Sequence, residues 1–359
     1  MNTKLSKKKH KKTPNRRHFL QVFGVGAAAV ALGACESRSP AGGGDATTNP
    51  DGGPGPDGGP DAGTGTDPDL DAILDNDEFY VTSSAGTPTV DPDTWRLEID
   101  GAVDNPVTLT LDDLRGLGTL QKEHTLVCIG SSPGAPAIGN AVWGGRPLND
   151  VLAAFNVNRQ PGAIELQFEA AEGYTTSMPI TDLDDRELWL VWEMNGEPLP
   201  PSHGFPVRVL TPGRYGIKNP KWLTRITLGT EPLLGFWESR GWSNDGSYRP
   251  VAYFLSPPRN SDHDPTVVAL QGSAFCGSTA VTKVEVSTDN GTTWQEAEIT
   301  YEGPVDTWTL WRYDWQPEAP GEYDLLARIE CADGRATDPN FVQDLGGYSG
   351  YGTLSLTIG

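Results

Sequence analysis

Alternation with a period of two constrains the C-terminal third of this chain more than any other pattern. Val284 and Val286 alternate with Lys283, Glu285 and Ser287, and Asp289-Asn290-Gly291 follows as a turn able to hold positive φ. Thr309, Trp311, Tyr313 and Trp315 share one face of a second run, and Tyr323, Leu325, Ala327 and Ile329 share one face of a third. Such runs, separated by tight turns, predict an all-β sandwich of immunoglobulin type over residues 265–359. Cys276 and Cys331 both lie in it, each beside a Gly-containing turn. In an exported protein they are either a disulfide or two separate buried thiols.

The preceding part, residues 71–235, lacks that regularity. Thr94-Trp95-Arg96-Leu97-Glu98-Ile99 alternates as a strand closed by Asp100-Gly101, and Thr110-Leu111-Asp112-Asp113-Leu114 reads as a short capped helix. An apolar strand over residues 125–129 runs into a Gly/Ser/Pro loop, residues 148–155 suit a helix, and residues 188–192 and 207–210 look like buried strands. Proline-rich connectors argue against a regular βαβ repeat. The expectation is an α+β domain with a mixed sheet, joined to the β domain by a linker over residues 236–264.

Residues 1–34 read as an address rather than a fold. A lysine-rich start precedes Asn15-Arg16-Arg17-His18-Phe19-Leu20, a twin-arginine pattern, and an apolar run over residues 22–32 too short to span a bilayer. Leu32-Gly33-Ala34-Cys35 resembles a bacterial lipobox, which makes Cys35 the expected lipidated first residue of a mature periplasmic chain. The twin-arginine route exports folded proteins, often with a cofactor inside. Residues 40–69 hold ten Gly and six Pro and no large apolar side chain. Such a stretch cannot bury enough surface to offset its ordering entropy, so residues 35–70 are expected to form a disordered tether. No other stretch is apolar enough to cross a membrane, leaving the lipid as the expected anchor.

Removing residues 1–34 takes away eight Lys and Arg and no acid, shifting the net charge from −21 to −29. Such a surface disfavours nucleic acid. Against that background the 33 positions of residues 198–230 contain no Asp or Glu, yet they hold His203, Arg208, Arg214, Lys218, Lys221 and Arg225. A positive island of this kind suits an anion, phosphate above all, because Arg forks bind its oxygens in pairs and Lys adds a point charge.

Cys128 ends the strand in His124-Thr125-Leu126-Val127-Cys128-Ile129-Gly130-Ser131-Ser132. Position alone leaves it three roles: nucleophile, soft-metal ligand or inert core thiol. No Cys-x-x-Cys, haem-attachment motif or histidine cluster competes for a metal.

These features come together in one family. Cys128-Ile129-Gly130, Trp143-Gly144-Gly145-Arg146-Pro147-Leu148, Met194-Asn195-Gly196-Glu197-Pro198-Leu199 and His203-Gly204-Phe205-Pro206-Val207-Arg208, continued by Lys221-Trp222-Leu223, resemble in order the motifs of the sulfite-oxidase family of molybdenum-cofactor enzymes. Asp91-Pro92-Asp93-Thr94-Trp95-Arg96-Leu97 resembles its opening strand, and Val284-Glu285-Val286-Ser287 with Asp289-Asn290-Gly291-Thr292-Thr293-Trp294 resembles its C-terminal dimerisation module. The resemblance spans residues 78–359. It implies two-electron oxygen-atom transfer at molybdenum held by one pyranopterin, with Cys128 as the catalytic metal ligand. It further implies that His203 and Arg208 contact the pterin and its phosphate and that Lys218 and Lys221 add charge there. Tyr174, Thr176 and Ser177 either line the pterin pocket or stand on an ordinary β-edge. Trp237 and Trp242 either border the substrate funnel or pack within an interdomain linker. The implied partners are a small oxo-acid or oxide, a second copy of the chain, and, since no haem motif is present, a separate electron carrier such as a cytochrome.

The chain also departs from that family. Members that oxidise sulfite carry arginines soon after Cys-x-Gly, where Ser131, Ser132 and Pro133 stand here. They carry an Arg and a His where Thr82 and Ser84 stand, and a Tyr in place of Trp242. Each lost charge-assisted hydrogen bond costs about 1.5–3 kcal/mol, so weak sulfite oxidation is expected. Reduction of S- or N-oxides on the same fold is the alternative. A non-catalytic anchored binding protein is a third reading, against which the retained Cys128 speaks.

Overall fold

The computed structural model describes residues 69–341 and 343–359. The expected export signal, the lipidation site Cys35 and nearly all of the tether lie outside the described residues.

Two sheets build the N-terminal part. The first has the order Val107–Leu109, Leu97–Gly101, Leu223–Gly229, Glu165–Ala170, Thr175–Pro179. It is mixed: Leu97–Gly101 and Leu223–Gly229 run parallel and the other neighbours antiparallel. The second has the order Leu120–Val127, Ile138–Pro147, Trp189–Met194, Glu197–Pro198, and Arg208–Leu210 also pairs with Trp189–Met194. Helices are fewer than an α+β reading expects: Leu111–Arg115, Leu148–Ala154 and Asp182–Asp185. The first is set by a full capping box, in which the Thr110 side chain accepts from Asp113 N–H and the Asp113 carboxylate accepts from Thr110 N–H. None of the described helices is long and apolar enough to cross a membrane.

The C-terminal part is a pair of sheets. One has the order Val251–Ser256, Val268–Phe275, Thr309–Trp315, Glu298–Glu302; the other has the order Asp262–His263, Gly352–Ile358, Gly321–Cys331, Val281–Ser287, Gln295–Glu296. Their facing side chains, among them Phe254, Leu270, Trp311, Val286, Leu325 and Leu356, form one core. Cys276 and Cys331 are joined as a disulfide across it, with Cα atoms 5.9 Å apart. Val251–Ser256 falls inside the stretch expected as a linker, yet it pairs with Val268–Phe275. Prolines at 250, 257 and 258 bracket it and make it resemble a connector in sequence.

That third sheet is covered on both faces. Ala252 and Phe254 point into the core just described, while Val251 and Tyr253 point the other way, into a cluster with Val127, Ile129, Tyr215, Phe275 and Trp308. Every residue of Val268–Phe275 is buried. Direct bonds seal the contact: Thr125 N–H donates to Asp306 O at 2.9 Å, and Trp308 N–H donates to the Thr125 hydroxyl at 2.8 Å. The strand that leads to Cys128 therefore rests on the C-terminal part.

Candidate functional site

Cys128 follows Leu120–Val127 and is fixed through its backbone. Its N–H donates to Ala137 O at 2.9 Å, and its carbonyl accepts from Ser131 N–H at 2.9 Å. The Ser131 hydroxyl accepts from Ala137 N–H at 2.9 Å. The loop is closed on itself, and the thiol stands half-buried at its base, outside the disulfide. Two glycines keep space beside it. A Cβ on Gly130 would lie 3.9 Å from Cys128 Sγ and 3.7 Å from the rim of the Trp242 indole. A Cβ on Gly216 would lie 3.5 Å from the Tyr80 hydroxyl and 4.0 Å from Cys128 Cα. Any other residue at either position would fill this cradle.

Aromatic packing connects the cradle to the basic island. Tyr80 stacks on Phe79 with centroids 5.3 Å apart, and Phe79 meets Trp143 and His203 edge-on at 5.6 Å each. The Arg208 guanidinium lies 5.0 Å from the Trp143 ring centre. Gly204, with φ of 114°, lets Arg208 and Lys221 approach, since a Cβ there would meet theirs at 3.1 and 3.0 Å.

The electrostatics of this cluster are unusual. His203 Nε2 sits 2.8 Å from Asn76 O, so that nitrogen carries the proton. Burial, reinforced by the charge of Arg208, pushes the His203 pKa down to about 4 and keeps the ring neutral. Arg208 donates to His203 O at 3.0 Å and Asn219 O at 3.3 Å, while its Nε is buried with no partner. Burial lowers its pKa to about 10. Lys221 donates to Ser202 O at 2.7 Å and lies 4.3 Å from the Trp222 ring. Burial first, and then Arg208, push its pKa down to about 7. Among the described residues, neither cation has a carboxylate within ion-pair distance.

The other expected site residues are engaged elsewhere. Lys218 lies in the turn Gly216–Lys218 and donates to Glu238 Oε1 at 2.5 Å, Ser177 O at 2.7 Å, Asn244 Oδ1 at 3.2 Å and the Thr176 hydroxyl at 3.3 Å. Lysine and glutamate side chains are both fully buried, so this ammonium closes an internal ion pair rather than facing a ligand. The Tyr174 hydroxyl donates to Ile217 O at 2.6 Å, bracing the same turn, and the Ser177 hydroxyl donates to Leu233 O at 2.7 Å. Arg214 pairs with Asp182 and Asp245, and Arg225 with Asp100. Trp237 and Trp242 pack edge-on at 6.3 Å against the cluster beneath Cys128. Sequence reasoning overlooked Phe79, Tyr80 and Gly216, the second cradle glycine. It also gave no role to His124, which is fully buried with both ring nitrogens unpartnered and a pKa lowered to about 4 by burial.

A half-buried thiol in an open cradle suits a soft metal. A buried Arg208 with an orphaned Nε and a half-buried Lys221, neither in an ion pair, suit the anionic end of a bound group. Both halves of a phosphorylated metal cofactor therefore find matching donors.

Comparison with known proteins agrees. Residues 84–237 match the family described as oxidoreductase molybdopterin binding domain, and residues 258–319 match the Mo-co oxidoreductase dimerisation domain. Mitochondrial sulfite oxidase of Rattus norvegicus is 33% identical over 290 residues, covering 69% of this chain and 53% of that protein. Sulfite oxidase of Arabidopsis thaliana is 30% identical over 277 residues, covering 63% of this chain and 70% of that one. The chain thus spans about half the length of the mammalian relatives it matches. The crystal structure of the sulfane dehydrogenase SoxCD from Paracoccus pantotrophus is similar in fold, with a TM-score of 0.69 and 22% identity, covering 80% of this chain and 81% of that one.

Proposed function

This chain belongs to the sulfite-oxidase family of molybdopterin-dependent oxidoreductases, and from that premise we propose that it catalyses two-electron oxygen-atom transfer on a small substrate. When bound, the molybdenum cofactor supplies the oxygen-transfer and electron-storing chemistry. The chain supplies the rest. Cys128 is the thiolate that holds the metal, and the Gly130 and Gly216 cradle leaves room beside its sulfur. Arg208 and Lys221 clasp the anionic end of the pterin. His203 stays neutral, donates from Nε2 to Asn76 O and presents Nδ1 as an acceptor. Trp237 and Trp242 border the way in.

A separate carrier, such as a cytochrome, would take up the electrons the cofactor stores when bound. The C-terminal sheets, read as an immunoglobulin-like sandwich, join two copies of the chain. Export by the twin-arginine route and a lipid on Cys35 complete the proposal, supported by the motifs at residues 15–20 and 32–35.

One observation carries this reading: the buried Arg208, its Nε unpartnered, stands beside the half-buried Lys221, and among the described residues neither has a carboxylate within ion-pair distance. Elemental analysis of protein made with ample molybdate tests it. About one molybdenum per chain is expected, and none after Cys128→Ser. A wild-type protein devoid of molybdenum would sink the proposal.

A further inference from the structure

We infer that Trp242 determines specificity at this site, favouring a substrate whose reacting sulfur or nitrogen sits on an uncharged organic body over an oxyanion such as sulfite. The inference rests on the oxygen-atom-transfer reading above.

The position of the indole comes first. Its rim and the Cys128 sulfur both lie within 4 Å of the point a Gly130 Cβ would occupy, so they face one small volume. Trp237 backs the indole edge-on at 6.3 Å, and Trp242 N–H donates to Trp237 O at 3.3 Å. Two further contacts hold this wall. Glu238 and Asn244 flank Trp242 in the chain, and both bind the buried Lys218 ammonium, at 2.5 and 3.2 Å. Lys218 in turn ends the turn that starts at Gly216, on the other side of Cys128. One buried ion pair therefore ties the two walls of the cradle together. From the C-terminal part, Leu345 O accepts from Ser243 N–H at 2.9 Å, and Gln343 Nε2 donates to Gly130 O at 3.2 Å.

The charges come second. Of the two arginines around this wall, Arg249 is neutralised by Asp344, whereas Arg240 is exposed and, among the described residues, has no carboxylate within ion-pair distance. Arg249 pairs with Asp344 at 3.0 Å, donates to Gly347 O at 2.9 Å and lies 4.8 Å from the Phe341 ring centre. Arg240 lies 3.8 Å from the Phe236 ring centre and donates to Phe236 O. Gln343, Ser131, Trp237, Trp242 and Leu345 bring no net charge. An oxyanion held against these five side chains loses water and gains no charge-assisted bond from them, which costs on the order of tenfold or more per bond forgone. An uncharged sulfoxide or amine oxide loses little, and its apolar part gains the indole face. In the reductive direction the oxide takes two electrons from a one-electron carrier and two protons from solvent, releasing the thioether or amine and water. The oxidative direction is the reverse.

The test uses molybdenum-loaded full-length protein, with metal content measured for every preparation. Methyl phenyl sulfoxide is assayed with reduced viologen, and sulfite with ferricyanide. Wild type should show kcat/KM for the sulfoxide at least tenfold above that for sulfite. Trp242→Ala should lower the sulfoxide value about tenfold, mainly through KM, and shift sulfite less than threefold; Trp242→Phe should recover at least a third of the loss. Faster sulfite turnover by wild type would overturn the inference, and so would an equal effect of Trp242→Ala on both substrates. A loaded enzyme inert to both overturns it while leaving the cofactor reading intact, whereas absence of molybdenum strikes the cofactor reading itself.

Discussion

The acid-free stretch of residues 198–230 divides into two kinds of cation. Lys218, Arg214 and Arg225 are neutralised by Glu238, Asp182 and Asp100, carboxylates that lie outside the stretch. Arg208 and Lys221 instead meet carbonyls and aromatic faces. Charge along a sequence thus says where cations are concentrated. Only the fold says which of them remain to hold something. The paired set holds the protein together, and the unpaired set is the one we propose to hold a ligand.

Breaking one partner of the paired set should have the largest effect. Lys218→Met strands the Glu238 carboxylate in the interior and should cost about 3–5 kcal/mol in denaturant unfolding. Adding Glu238→Leu should recover a good part of that cost. A loss under 1 kcal/mol for the single variant would mean that the pair is no anchor. Arg208→Gln should do the opposite: molybdenum content falls at least tenfold, while stability drops only by about 1–2 kcal/mol. Unchanged metal content would place the pterin's anionic end elsewhere.

Lys221 sharpens the contrast through pH. Its folded pKa, about 7, lies below the ordinary 10.5, so protonation disfavours the folded state. In metal-free protein this group's penalty is fully present below about pH 7 and is relieved as pH rises from 7 towards 10.5. Melting curves of wild type and Lys221→Met across that window should diverge most at the acid end. A bound anion raises the pKa again, so cofactor loading should erase the difference. The smallest effect is expected for Arg225→Met. Its pair with Asp100 is partly exposed, and its loss should cost under about 1 kcal/mol with no change in molybdenum.

Much of this was legible because motif residues are close in sequence. His203 and Arg208 share one segment, and Gly204 between them brings Lys221 close. The Thr110 cap and the Cys128 strand end were readable for the same local reason. What escaped was non-local. Asp100 reaches Arg225 across 125 positions, so an acid-free window misjudges its own neutrality. Phe79 and Tyr80 link cradle to cations through ring contacts that no spacing announces. Val251–Ser256, bracketed by prolines, conceals a strand whose partner begins twelve residues later.

The doubly covered sheet has a consequence for how the enzyme is made. Val127 and Ile129, which flank the sulfur, rest on Tyr253, Phe275, Trp308 and Leu310. A ribosome must therefore synthesise some 180 residues past Cys128 before the floor beneath it exists. Until then the underside of the reaction centre is a bare greasy patch, open to chaperones and proteases alike. If Cys128 holds the metal as proposed, insertion is a late event by construction, and a chain cut short before Trp308 would present a thiol with no chamber around it.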